Sequence, residues 1–213
     1  FTLRGIKRWF GFNEFCRQHH VKSFWTFDSD VLIFCDLAQE TGAWTEPIAL
    51  LARHKAPCLS LGISLFRDTT PLQMFTEWAV QLYRDGSNNA DMHRLWETFE
   101  RELLCDMVLW TEFLAIHKEI AYGNLEGTKD SASFDPNLAL ARNGWAGHAG
   151  SKMIWFESGF PFGSRCGRKE RLKCLHCWGP WKSRMSELLD ISRQPGKSAL
   201  LRSTREIELS AIQ

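Results

Sequence analysis

Phe24-Trp25-Thr26-Phe27-Asp28-Ser29-Asp30-Val31-Leu32-Ile33-Phe34-Cys35-Asp36-Leu37 is a run of apolar β-formers interrupted by two carboxylates one residue apart. Apolar residues on both sides suit strands buried in a sheet, one near 23–28 and one near 31–34. If the Asp pair ends the first strand, alternation of side chains between faces points Asp28 and Asp30 the same way, where they can share one hard cation. The same three residues also suit an ordinary polar turn, since Asp and Ser favour turns.

Far downstream, Leu175-His176-Cys177-Trp178-Gly179-Pro180-Trp181-Lys182 sets His, Gly and Lys three apart. An imidazole completes a carboxylate metal site, a glycine lets backbone approach a phosphate closely, and a lysine offers that phosphate a point charge. Around this segment Arg165, Arg168, Lys169, Arg171, Lys173, Lys182 and Arg184 form a basic cluster opposed locally only by Glu170.

Asp-x-Asp followed by His-x-x-Gly-x-x-Lys resembles the metal-dependent GT-A glycosyltransferases, most closely the glycogenin and lipopolysaccharide-galactosyltransferase kind. The resemblance implies an α/β GT-A fold, a mixed sheet flanked by helices. It implies a hexosyltransferase using Mn²⁺ or Mg²⁺ and a nucleotide-sugar donor, expected to be a UDP-sugar, with a glycan, lipid or protein as acceptor. Carried over, Asp28, Asp30 and His176 hold the metal, and Gly179 and Lys182 face the diphosphate. Ser29 falls on the donor side with them. The helix before the metal strand places Arg8 or Lys7 toward the donor phosphates, with a solvated helix charge as the competing reading. Cys105-Asp106-Met107 resembles the acidic start of an acceptor-side helix, though Asp suits any helix N-terminus. Phe134-Asp135-Pro136-Asn137-Leu138, followed by Asn143-Gly144-Trp145, resembles a strand and loop beside the sugar. Asp135 and Asn137 then bind hydroxyls, or else bond their own backbone in a Pro-directed turn.

Outward from these motifs, Ile6, Trp9, Phe10, Phe12, Phe15 and Cys16 recur near helical spacing and predict a helix over 4–19. Pro71 to Tyr83 carries Leu72, Phe75, Ala79 and Leu82 on one face with proline in the first turn, a second helix. It gives way to a solvated loop from Arg84 to Asn89. A short strand is expected around Cys58–Ile63, helices over 91–101 and 105–119, and a strand near 152–156 before a Gly- and Pro-rich loop over 158–167. Asp36 punctuates the end of the second apolar run. Strands alternating with helices give an α/β class. One catalytic domain over 1–185 and a peripheral tail over 186–213 are expected, the tail broken by Arg193-Gln-Pro-Gly-Lys197. GT-A domains have strand–helix units ahead of the metal strand, so the chain is expected to be an N-terminally truncated piece of such a domain.

With 213 residues, 44% of them hydrophobic, the chain is long enough for a sizeable core. Ten Trp and fifteen Phe suit that core, while aromatic platforms also stack on sugar rings, which makes Trp145, Trp178 and Trp181 candidates for that role. A formal net charge of +1 argues against nucleic acid as a partner. No apolar stretch is long enough for a transmembrane helix. Seven cysteines without regular spacing fit a reducing compartment, hence a cytoplasmic location or one peripheral to a membrane. Two other readings remain: an inactive or truncated relative serving as a binding module, and a small zinc-binding interaction domain built on Cys166, Cys174, His176 and Cys177.

Overall fold

A computed structural model describes residues 2–51, 58–85, 89–99, 105–127, 132–135, 137–141, 144–148, 150–194, 197–203 and 206–211. In chain order the elements are α1 (Thr2–His19), β1 (Phe24–Phe27), β2 (Val31–Ile33), α2 (Leu37–Gly42), β3 (Ile48–Leu51), β4 (Ser60–Phe66), α3 (Thr70–Asp85), α4 (Ala90–Thr98) and α5 (Asp106–Ile116). There follow β5 (Tyr122–Asn124), β6 (Ala132–Phe134), β7 (Gly147–His148), β8 (Ser151–Lys152), β9 (Ile154–Glu157), β10 (Phe160–Arg165) and β11 (Arg168–His176). A 3₁₀ helix over Gly179–Arg184 leads into α6 (Met185–Ser192), and β12 (Lys197–Ser203) and β13 (Glu206–Ala211) close the chain. The class is mixed α/β, as expected from the alternation of strands and helices.

The chain divides into two compact units, Phe1–Thr26 with Thr41–Asn124, and Phe27–Glu40 with Leu125–Gln213. In the first unit the described strands run in the order β1-β4-β3-β5, with β3 antiparallel to β4 and parallel to β5. Every residue of β4 is buried, with the small Ser60, Gly62 and Ser64 alternating with Leu61, Ile63 and Leu65. The helices present apolar faces to one aromatic core. Ile6 and Trp9 come from α1, Leu72, Phe75 and Leu82 from α3, and Val108, Leu109, Trp110 and Phe113 from α5. Phe75 stacks on Trp110 at 4.0 Å between centroids with 9° between planes, and Trp9 meets Trp110 edge-on at 5.4 Å. Asn89 caps α4, its side chain accepting the N–H groups of Asp91 at 2.9 Å and Met92 at 3.3 Å.

In the second unit the described strands run β13-β12-β9-β10-β11-β2, with β6 parallel to β11 off that path. All ladder partners along the path are antiparallel. Ile154, Phe156, Leu172, Leu175, Cys177, Trp181 and Leu188 form its core.

Two expectations change here, and the basic stretch takes a secondary structure not assigned from the sequence. The Gly- and Pro-rich stretch over 158–167 is not a loop: Ser158-Gly159 turns the chain, and Phe160–Arg165 forms β10 between β9 and β11. The basic stretch after it is β11, whose Leu172 and Cys174 are buried in alternation with Arg171 on the other face. The segment expected as a tail supplies α6 and a β12–β13 hairpin, of which β12 joins the sheet through β9. Pro195 and Gly196, read as a break, lie outside the described residues. So do Gly86–Asn88 of the expected solvated loop and 100–101 of the expected fourth-helix span. Among the described residues no helix is long and apolar enough to cross a membrane.

Candidate metal centre

Phe27 leaves β1, and Asp28-Ser29-Asp30 makes a tight turn in which Val31 N donates to the Asp28 carbonyl at 3.2 Å. The Asp pair is therefore brought together by the turn, not by strand alternation. Antiparallel pairing of β2 with β11 sets His176 opposite Val31 and Leu175 opposite Leu32. Cys177 N extends this junction by donating to the Asp30 carbonyl at 2.7 Å. One ligand atom each from Asp28, Asp30 and His176 consequently lie within 4.8 Å of one another.

Asp30 and His176 are 6% and 4% exposed. His176 Nε2 is 3.5 Å from Asp30 Oδ1, and Lys182 Nζ is 3.5 Å from Asp30 Oδ2. The Lys182 ammonium thus lies at ion-pair distance from the buried Asp30 carboxylate. Two carboxylates and an imidazole are a donor set that could hold a divalent cation. Ligands about 2.1 Å from one ion lie at most about 4.2 Å apart. A spread of 4.8 Å closes onto an ion with sub-ångström side-chain shifts. The three residues could hold an ion of that size.

Of the flanking residues, Ser29 is exposed at the crown of the turn. Gly179 opens the 3₁₀ helix with φ +65, and a Cβ there would meet nothing within 4 Å, so backbone at this point faces open space. Lys182 reaches back from the same helix. Of the three tryptophans, Trp145 and Trp181 are buried and Trp178 is 56% exposed.

Asp135 is fully buried. It pairs with Lys152, also buried, and accepts the backbone N–H of Asn137 at 3.2 Å and of His176 at 3.2 Å. Asn137 in turn accepts Ala139 N at 2.8 Å. Both side chains thus bond backbone, the arrangement the turn reading anticipated. Pro136 and Asn143 lie outside the described residues. Lys152 had no mark in the sequence beyond standing at the head of a predicted strand.

Asp106 and Arg8 belong to the first unit, where Arg8 Nη2 pairs with Asp106 Oδ2 at 2.8 Å and Trp9 Nε1 donates to the same oxygen at 3.1 Å. There they tie α1 to α5. Lys7 is exposed on α1, and Asp36 accepts Ala38 N at 2.8 Å at the start of α2.

The basic cluster is largely paired with acids, some nearby in sequence and some distant. Arg165 meets Glu126 and Glu170, Lys169 meets Glu157, Lys173 meets Glu40 at 2.7 Å, and Arg184 meets Glu187 at 2.8 Å. Arg171 lies over the Phe160 ring and donates to the Phe34 carbonyl at 3.0 Å.

Among the described residues the metal-ligand grouping is Asp28, Asp30 and His176; Cys166, Cys174 and Cys177 do not join it. Burial pushes the Cys174 thiol well up, and burial followed by the charges of Asp135 and Asp30 pushes Cys177 up to about 12.

No family model matches the chain, and neither a curated protein nor a solved structure matches it.

Proposed function

We propose that Asp28, Asp30 and His176 bind Mn²⁺ or Mg²⁺ and that this site holds the diphosphate of a nucleotide sugar, expected to be a UDP-sugar, for hexosyl transfer to a glycan, lipid or protein. The observation that carries the reading is the convergence of the three ligands within 4.8 Å from distant parts of the chain. When bound, the cation supplies positive charge against that growing on the departing diphosphate. The chain's own part is to position and to neutralise. The Asp28–Asp30 turn and the β2–β11 ladder hold the ligands, the open backbone at Gly179 admits an anion, and Lys182 offers it a flexible ammonium.

A binding module without transfer is the second reading. It is favoured by one observation: both carboxylates expected on the acceptor side are engaged in ion pairs, Asp106 with Arg8 and Asp135 with Lys152.

Calorimetric titration of Mn²⁺, then of UDP with and without Mn²⁺, tests the site in wild type, Asp30→Ala and His176→Ala. The expected result is UDP binding that needs Mn²⁺ and disappears in both variants. UDP or Mn²⁺ binding indifferent to both substitutions would refute the assignment. Hydrolysis or transfer of a UDP-hexose by the Mn²⁺-loaded protein separates the enzyme from the binding module.

A further inference from the structure

Beneath the ligand set lies a buried polar network that the proposed function does not use. Lys152, 1% exposed, pairs with Asp135 and donates to the Asn137 carbonyl at 3.1 Å. Its ammonium also sits over the Trp145 ring, 5.1 Å from the centroid. Asp135 divides its two oxygens: Oδ1 takes Lys152 and the Asn137 N–H, and Oδ2 takes the His176 N–H. The His176 carbonyl is held by the same segment, accepting Leu138 N at 3.0 Å. Both backbone polar groups of one ligand residue are thus bound to residues 135–138, while the next residue, Cys177, is bound to Asp30.

A buried carboxylate and ammonium are costly to desolvate, and an apolar pair of similar volume would serve packing as well or better. What the charged pair adds is direction. Lys152 occupies one oxygen of Asp135, which leaves the other fixed toward a single backbone amide. That amide belongs to the one ligand that comes from across the sheet. The partners behind a metal-binding imidazole govern its orientation and affinity.

We propose that Asp135 and Lys152 form a positioning clamp for His176, acting on the metal site through the His176 backbone without touching the ion. The inference rests on the metal-site reading.

Two charge-free pairs separate the acceptor from the charge. Asp135→Leu with Lys152→Met removes both charges and the acceptor together; Asp135→Asn with Lys152→Met removes both charges and keeps an amide oxygen near His176 N–H. Mn²⁺ affinity by calorimetry and the zero-field splitting of bound Mn²⁺ by electron paramagnetic resonance are read on folded protein, checked by circular dichroism. The leucine pair is expected to bind Mn²⁺ about 10-fold or more weakly, the lower end for loss of an outer partner, with an altered spectrum. The asparagine pair is expected to recover part of that affinity, because the acceptor for His176 N–H remains while the hold of Lys152 on it is lost. Wild-type affinity and spectrum in the leucine pair, or equal weakening in both pairs, would overturn the clamp. If the leucine pair does not fold, Asp135→Ala with Lys152→Met replaces it and is read in the same way. Absence of Mn²⁺ binding by the wild-type protein would overturn the metal site and the clamp together, whereas unchanged binding in the leucine pair overturns the clamp alone.

Discussion

Replacing Lys182 by methionine should move two affinities in opposite directions. Lys182 Nζ stands 3.5 Å from Asp30 Oδ2, with its side chain 58% exposed. Two unit charges at that separation attract by about 1.2 kcal/mol in the dielectric of water. Exposed pairs deliver roughly 0.2–1 kcal/mol once side-chain entropy and screening are counted. A divalent ion arriving at Asp30 must displace this attraction, so Lys182→Met should tighten Mn²⁺ by about 1.5- to 5-fold. The gain should shrink as salt rises from about 0.05 M to about 0.5 M, because the contact is screened by solvent ions. With Mn²⁺ saturating, the displaced ammonium becomes the partner of the diphosphate. Loss of a charge-assisted contact of roughly 1.5–3 kcal/mol should then weaken UDP by about 10- to 150-fold. Paired calorimetric titrations at the two salt concentrations read both effects. Weaker Mn²⁺ binding in Lys182→Met would refute the exchange, since it would make Lys182 a support of the ligand set and not a competitor for Asp30. Unchanged UDP binding would remove Lys182 from the phosphate side.

Further outcomes are expected elsewhere in the chain. Phe75→Leu removes a fully buried ring stacked 4.0 Å from Trp110, and should lower the urea midpoint at constant m-value by an amount worth about 1–3 kcal/mol; a midpoint unchanged from wild type would contradict the stacked core. A thiol reagent should modify exposed Cys166 in the native protein and spare Cys174 and Cys177 until denaturant is added, since burial keeps the latter two protonated. Glu157, held below its ordinary 4.5 by hydrogen bonds from Lys169 and then Trp155, contributes stability that is complete above that ordinary value. The contribution is lost as pH falls through the depressed native value, so Glu157→Gln should flatten the acid limb of a stability–pH curve below about pH 4.5. The pair is exposed, so the effect should amount to roughly 0.2–1 kcal/mol; a parallel acid limb in the variant would count against it.

Helices α1 and α3 were legible because each carries an apolar stripe at helical spacing, and Pro71 marks the start of α3, whereas α5 is apolar on nearly every side and shows no such stripe. Strand β10 was hidden by Pro161 and Gly163, which read as breakers although Pro161 pairs with Phe156 in a ladder. Strand β11 carried a usable signal, the alternation of Arg171 and Lys173 with Leu172 and Cys174, but its charge density drew attention first. Asp28 and Asp30 are neighbours in sequence, and residue type alone marked them. That His176 joins them depends on β2 pairing with β11, a contact between distant segments that no local pattern encodes. The same holds for Lys152, whose burial is decided by the partner it meets. Asp106 and Arg8 show the opposite case: residue types suited to phosphate or sugar are used to join two helices.

The second compact unit is built from two separate stretches, and the shorter, Phe27–Glu40, brings both the Asp pair and strand β2. A polypeptide beginning at Leu125 would therefore inherit the imidazole, Gly179 and Lys182 without either carboxylate, and would leave Cys174–His176 as a bare strand edge open to association. Dissection of this protein by deletion would confound exposure of that edge with removal of the proposed metal ligands, and point substitutions in the intact chain are the means by which the two can be told apart.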